Sequence, residues 1–521
     1  MSATTAIRAS AERPAARRVM FVASECEPWA KTGGLADVVD ALARALGRMG
    51  VAVDVYLPAY RTALRPTVTE RVTLAVPTGA PGVMATVDVL SGPADGYRLR
   101  LVDHAFHFDR AGLYGEERGD YPDNGARFAL FCRAALEAAR VEGQPIDVIH
   151  GHDWQGSLAL QYRDGHYASD PLIGPAATVL TIHNLAYHGW VPRERVADLQ
   201  LPEAVGERTG VDLLREGIRA AEIVTTVSPT YAREALTAEY GMGLDGDLDA
   251  RGERFVGIMN GIDPAVWDPA TDASLPRRYA ARADRRNGVA SLDEGKRVAK
   301  ADLAARHGLA GAERRPLLGM IGRLDPQKGF DLLAEAAAGI LDAGALLIVL
   351  GTGHAELLRG LRTVSAARPA RIAIIERFDR AEARRIYAGA DLFVMPSRFE
   401  PSGQGQLIAF RYGTPVIARR TGGLADSVID VATVSAVDVA TVSAGNGFLF
   451  DEPTAEALLG AVGRALAVYG DRARWKALRR GVMALDHSWA VPARRYLAEY
   501  GRAMELRRSA ARPPGRRRGA P

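Results

Sequence analysis

Apolar residues along this chain come in two rhythms, and the rhythms alternate. RVMFVA at 18–23 is a short unbroken run. After a glycine pair comes LADVVDALARALGRMG, whose positions 35, 38, 39, 42, 45, 46 and 49 share one helical face. Gly50 closes that segment and VAVDVYLP resumes an extended pattern, which predicts a β–loop–α–β unit. Further strands are predicted at IDVIH (146–150), ATVLTIH (177–183) and AEIVTTVS (221–228), with the helical NGARFALFCRAALEAARVEG among them. Across 262–315 the rhythm weakens: IDPAVWDPATDASLP reads as a loop leading into polar helical segments. From 316 it restarts, with strands LLGMIGR, ALLIVLG, RIAIIER, DLFVMPS and PVIARR separated by helical stretches. Such alternation predicts an α/β fold of two Rossmann-like domains, each a parallel sheet covered by helices on both faces. The expected division is an extension at 1–17, domains at 18–265 and 266–485, a helix at 486–505 and a tail at 506–521.

Composition narrows the class. Of 521 residues, 48% are hydrophobic and 25% charged, an ordinary globular balance. The net charge of +4 describes the ends: 506–521 carry +6 and 1–18 carry +3, leaving the body at −5. The basic balance therefore marks no nucleic-acid-binding face, and the ends read as solvated and disordered. The first residues lack an apolar core and are not a secretory signal. No apolar run is long enough to span a membrane. Two cysteines, Cys26 and Cys132, form no metal-ligand or disulfide pattern, which suits a reducing, cytoplasmic setting. The tandem IDVATVSA–VDVATVSA at 429–444 holds no catalytic residue types and is expected to be a mobile insertion.

Candidate chemistry lies in the loops after strands, where open α/β sheets bind ligands. KTGGLADVV at 31–39 returns almost unchanged as RTGGLADSV at 420–428. In the first copy, Lys31 precedes Gly33 and Gly34 at a helix start, an arrangement that suits an anion or an unliganded elbow. GRLDPQKG puts Arg323 and Lys328 on one loop, able to clamp a diphosphate or to stand in solvent. SRFEPSGQGQL sets Glu400 before a glycine-rich helix entry, as a partner for sugar hydroxyls or as a helix cap. His183 and Asn184 end one strand, and Asp153 follows another. DGDLD at 245–249 fails the EF-hand pattern at Ala250 and Val256 and reads as a solvated loop; no metal site is expected.

Taken together, KTGGLADVV, YPDNGARF, HDW, TIHNLAYHG, VSPTYARE, YGMG, MNGID, GRLDPQKG, PSRFEP and RTGGLAD resemble, over about 18–505, the bacterial glycogen synthases and plant starch synthases, retaining glycosyltransferases of family 5. The resemblance implies a GT-B fold, with two Rossmann-like domains facing a cleft and the last helix returning to the first domain. It implies transfer of glucose from ADP-glucose to the non-reducing end of an α-1,4-glucan, with retention and without metal or cofactor. It implies that Lys31, Gly33 and Gly34 meet the donor, that Arg323 and Lys328 neutralise its diphosphate, and that Glu400 holds glucose hydroxyls. Gly403 and its neighbour Ser402 would bind substrate through backbone N–H groups. His183 and Asn184 would contact the sugar, Asp37, Tyr114 and Asp153 would line the glucose or acceptor side, Phe378 would lie near the adenine, and Asn260 would contact substrate. Ser402 replaces the family's usual Cys, Gln155 a common His, and Ile408 the second Glu of the wider superfamily. The competing readings are a transferase using UDP-glucose or a small sugar acceptor, and an inactive glucan-binding protein. The sequence does not fix the oligomeric state.

Overall fold

Parallel strands whose two faces are both covered need apolar side chains at every position. The run LLIVL is of this kind. Leu346, Ile348 and Leu350 enter one apolar cluster while Leu347 and Val349 enter another, on the opposite face of their sheet. A computed structural model describes residues 16–511 apart from 81, 117–118, 202–205, 207 and 434–444. The two chain ends and most of the 429–444 duplication thus lie outside the described residues. Chain contacts divide the protein into two units. One holds the chain up to Val227, Ala232–Ile258 and the segment from Trp489 onward; the other holds Ser228–Tyr231 and Met259–Ser488.

The first unit is built on a nine-stranded sheet. Its strands are β1 (Arg18–Val22), β2 (Ala52–Pro58), β3 (Glu70–Pro77), β4 (Met84–Pro93), β5 (Arg98–Asp103), β6 (Val148–His152), β7 (Ala177–Ile182), β8 (Ile223–Thr226) and β9 (Phe255–Gly257). Their order is β9-β8-β7-β6-β1-β2-β5-β4-β3. All neighbours run parallel except β5-β4 and β4-β3. The antiparallel extension is absent from the reading of the sequence. The outer part of β3 alternates between exposed and covered positions, as a sheet with one wet face does. The helix Gly34–Arg48 buries Leu35, Val38, Val39, Leu42 and Leu46, as its spacing predicts. Met49 departs from that prediction: it caps the helix and stands 41% exposed. DGDLD is a short helix, not a loop, and its Asp247 pairs with Arg215 and Arg219.

The second unit has a six-stranded, wholly parallel sheet of β10 (Leu317–Leu324), β11 (Leu346–Gly353), β12 (Ile372–Glu376), β13 (Leu392–Met395), β14 (Val416–Arg419) and β15 (Gly447–Phe450). The order β12-β11-β10-β13-β14-β15 reverses between β10 and β13. In the first sheet the strands on either side of β1 are β2 and β6, so a reversal falls between β1 and β6. Ligands of such sheets bind outside the strand carboxyl ends at these reversals. Among the described residues no helix is long and apolar enough to cross a membrane.

Candidate functional site

In the first unit the chain leaves β1 through Ser24 and Glu25 and re-enters helix at Gly34. Glu25 is buried, and its carboxylate is the anchor of this loop. Oε2 accepts from the backbone N–H of Thr32 at 2.6 Å and of Gly33 at 3.0 Å. Oε1 accepts from the Thr32 hydroxyl at 2.6 Å and the Tyr114 hydroxyl at 2.7 Å. Four bonds fill the acceptor capacity of a carboxylate. Those two backbone donors at the helix start are therefore already occupied by an internal anion. What the loop can still offer a ligand is Lys31 and space. Lys31 lies 2.6 Å from Asp37 and 3.3 Å from Glu27. A Cβ added at Gly33 or Gly34 would meet nothing within 4 Å among the described residues. Glu25 carries no motif, and the sequence reading passed it over. The available signal was an acid just after a strand, eight residues before a glycine pair.

On the other side of the same reversal, β6 ends at His152 and Asp153 opens the helix Asp153–Asp164. Asp153 has φ 51°, a left-handed conformation that costs a non-glycine residue energy and is common at functional positions. Its Oδ1 accepts from the backbone N–H of His183 at 2.7 Å. Burial pushes its carboxyl up to about 7, against donation from the backbone of His183 and Asn184, and Glu25 adds to the rise. Burial holds His183 down at about 3, so the ring is neutral. Asn184 turns its Oδ1 to the N–H of Ala186 at 3.0 Å.

The adjoining surface of this unit holds a cavity of about 500 Å³. YPDNGARF, a motif without an assigned role in the sequence, meets the end of TIHNLAYHG there. Tyr121, Asp123 and Asn124 contribute from the first, Tyr187 from the second, with Trp154 and Trp190 beside them. Tyr187 and Trp190 are both about half exposed. Aromatic faces among carboxylate and amide groups suit the alternating apolar and hydroxyl surfaces of a sugar chain.

In the second unit, the loops after β10 and β13 are zipped together. Arg398 N–H donates to the Gln327 carbonyl at 2.8 Å, and Gln327 Nε2 donates to the Phe399 carbonyl at 3.1 Å. Asp325 caps the turn through Gln327 N–H. This brings Lys328 Nζ to 2.9 and 2.7 Å from the two Glu400 carboxylate oxygens, and Ser397 Oγ donates to Oε2 at 2.9 Å. Glu400 is thus an ion-paired, buried carboxylate and caps no helix. Arg323 does not share the loop of Lys328 as the sequence suggested: it lies within β10, paired with Thr352 of β11, with its side chain exposed.

The second copy of the nonapeptide supports Glu400 from behind. Gly423 N–H donates to the Glu400 carbonyl at 2.9 Å. A Cβ at Gly422 would overlap that carbonyl, and one at Gly423 would overlap the Ser402 carbonyl. Gly422 also has φ 44°. Gln406 Nε2 lies 2.9 Å from the Ser402 carbonyl and 3.1 Å from that of Gly403. Ser402 is buried, and its hydroxyl has no hydrogen-bond partner among the described residues, as is true of Asn260 Oδ1. Phe378 stands 73% exposed just beyond β12. Lys328, Glu400, Ser402 and Gly403 therefore gather at one reversal, with Arg323 near the end of β10. Asp37, Tyr114, Asp153 and His183 gather with Lys31 at the other.

Two family descriptions match this chain. Residues 18–250 match a starch synthase catalytic domain, and residues 304–480 match the glycosyl transferases group 1. Glycogen synthase 2 of Geobacter sulfurreducens is 40% identical over 499 residues, covering 94% of this chain and 100% of its own length. A glycogen synthase of Anaeromyxobacter is 42% identical over 489 residues, covering 92% and 98%. Among solved structures, the catalytic domain of starch synthase IV from Arabidopsis thaliana, bound to ADP and acarbose, has a TM-score of 0.83 at 34% identity, covering 94% of this chain and 100% of that one. A sucrose-phosphate synthase from Thermosynechococcus elongatus, at 20% identity and a TM-score of 0.57, shares the fold.

Proposed function

The chain belongs to the glycogen and starch synthase family, with its GT-B fold and its transfer of glucose onto an α-glucan, and from that premise we propose that ADP-glucose is the donor and the non-reducing end of an α-1,4-glucan the acceptor. The 259–488 unit would carry the nucleotide diphosphate. The 16–258 unit would carry the glucan, with the aromatic cavity at Trp154, Tyr187 and Trp190 taking sugars further along the chain.

The observation that carries this reading is the Lys328–Glu400 pair at a sheet reversal. An ammonium has three donors, and Glu400 engages it with two oxygens at 2.9 and 2.7 Å. A held cation beside a held carboxylate suits a ligand that is phosphate at one end and polyol at the other. As the bond from glucose C1 to the diphosphate oxygen breaks, negative charge grows on that oxygen. Lys328 and Arg323 stabilise it most at that moment. The new bond from C1 to the acceptor oxygen forms on the face the phosphate leaves, and the acceptor's proton passes to the departing phosphate. Neither step uses a metal. Two buried free thiols accord with a cytoplasmic setting.

The test is incubation with glycogen and either ADP-glucose or UDP-glucose in EDTA, measuring nucleotide release and chain growth. ADP release with chain growth is expected. Turnover with UDP-glucose alone would refute the donor assignment, and no release with either would refute the transferase reading of these residues.

A further inference from the structure

Three imidazoles line up along β6 and at the end of β7, and the family resemblance gives a role only to His183. His150 is occupied on both nitrogens: Nδ1 lies 2.8 Å from the Tyr500 hydroxyl and Nε2 lies 2.6 Å from Thr181 Oγ1. His152 lies tilted on His150 with ring centres 4.1 Å apart, and Phe21 packs edge-on against both rings at 4.9 and 5.0 Å. Its Nδ1 reaches to 3.1 Å from His183 Nε2. Its Nε2 is buried and has no hydrogen-bond partner among the described residues.

A hydrogen bond between two neutral imidazole nitrogens contains one proton, and the buried neighbour decides which ring supplies it. Burial keeps both rings neutral, so each carries a single N–H. If His183 donates from Nε2, His152 must carry its own proton on Nε2, a buried N–H with nothing to donate to. If His152 donates from Nδ1, the atom left over is a bare lone pair. Orphaned buried N–H groups are the rarer and costlier kind. We infer that His152 is a positioning residue that donates from Nδ1 to His183 Nε2 and fixes His183 as the neutral tautomer protonated at Nδ1. Asp153 holds the same residue by its backbone N–H, so main chain and ring are both oriented. His183 then presents a donor to a sugar oxygen. It cannot take up the acceptor's proton, which leaves that proton to the departing phosphate.

This inference rests on the sugar contact that the family resemblance implies for His183, but its first test does not. In the full chain labelled with ¹⁵N-histidine, the His183 ring signals are assigned by their loss in His183→Ala. The expected pattern is a protonated Nδ1 and an unprotonated, hydrogen-bonded Nε2; the reverse pattern overturns the inference whatever the activity. The second test is kinetic. Asn at 152 places an amide N–H where Nδ1 stands, Gln displaces it, and Leu removes it. His152→Asn is expected to keep kcat within about threefold of the parent, and His152→Leu and His152→Gln to lose about tenfold with KM for the donor little changed. Equal losses in the Asn and Leu variants overturn the donor role of His152. If His183→Ala turns over normally while the parent shows the expected ring signals, the transfer role of His183 fails and the tautomer assignment stands.

Discussion

Lys328 illustrates how a residue can be both a structural partner and a poised functional group. Glu400 is buried, and its partners are Lys328 and Ser397. Removing the cation leaves a buried carboxylate without its counter-charge, which costs several kcal/mol in well-buried pairs and less here, since Lys328 keeps some exposure. Lys328→Ala is therefore expected to lower both Tm and kcat, the latter by about 10²–10³-fold if the lysine stabilises the leaving group. Adding Glu400→Gln removes the stranded charge, so the double variant should regain Tm and stay inactive. Recovery of kcat along with Tm would show the pair to be structural only. Asp153 makes a different prediction. Its carboxyl is raised to about 7 by burial, well above the unfolded value. A carboxyl raised in the folded state lends stability while protonated and loses it as pH rises through the folded value. Between pH 6 and 8 the parent should lose about 1.4 kcal/mol from this group. Asp153→Asn keeps the acceptor for His183 N–H and, lacking the titration, should gain on the parent over that range. Melting curves at the two pH values check it; a constant offset would mean that Asp153 does not titrate there.

At the scale of elements, the two nonapeptides share a strand-to-helix elbow but owe their glycines to different causes. In KTGG none of the described residues crowds Gly33 or Gly34, whereas in RTGG the pair packs directly on the Glu400–Ser402 backbone. Gly423→Ala should therefore displace the Glu400 loop, costing about 1–3 kcal/mol as overpacking does, and abolish most activity. Gly33→Ala should leave stability within about 0.5 kcal/mol of the parent, as at an uncrowded surface position, while weakening donor binding. If both variants behave alike in melting and kinetics, the distinction fails. Sequence alone shows the elbows and not this difference, because the crowding comes from residues about twenty positions away. The same limit explains other gains and omissions. Runs such as LLIVL were legible because both faces of a buried parallel strand select apolar residues. β3 and β4 were not, because their mixed, partly wet pattern resembles a loop rich in Thr, Pro and Gly, and β5 was not, because Arg98 and Arg100 interrupt its apolar run. Glu25 escaped notice because its bonds to Thr32 and Gly33 depend on how the loop closes. The Lys328 and Glu400 loops were readable as chemistry, but their zipping through Gln327 and Arg398 was not.

At the scale of the molecule, the chain passes from the first unit to the second at Ile258–Met259 and returns at Ser488–Trp489. Each unit has its own sheet, and the helix Ala490–Ala511 belongs to the first, where Tyr500 bonds His150. Two cores in one chain make a single two-state unfolding step a poor expectation. Calorimetry of the full chain should therefore resolve two transitions, assigned by which one Lys328→Ala and which one Asp153→Asn shifts. ADP is proposed to bind through Lys328 and Arg323, both in the 259–488 unit. A ligand at a hundredfold excess over its Kd stabilises the form that binds it by about 2.7 kcal/mol. ADP should raise the transition that Lys328→Ala lowers, and this shift should vanish in Lys328→Ala itself. Maltooligosaccharide should act on the other transition, through the cavity at Tyr187 and Trp190, and lose its effect in Trp190→Ala. If ADP raises only the transition that Asp153→Asn shifts, the nucleotide belongs on the first unit, and the division of labour between the two sheets is the reverse of the one proposed.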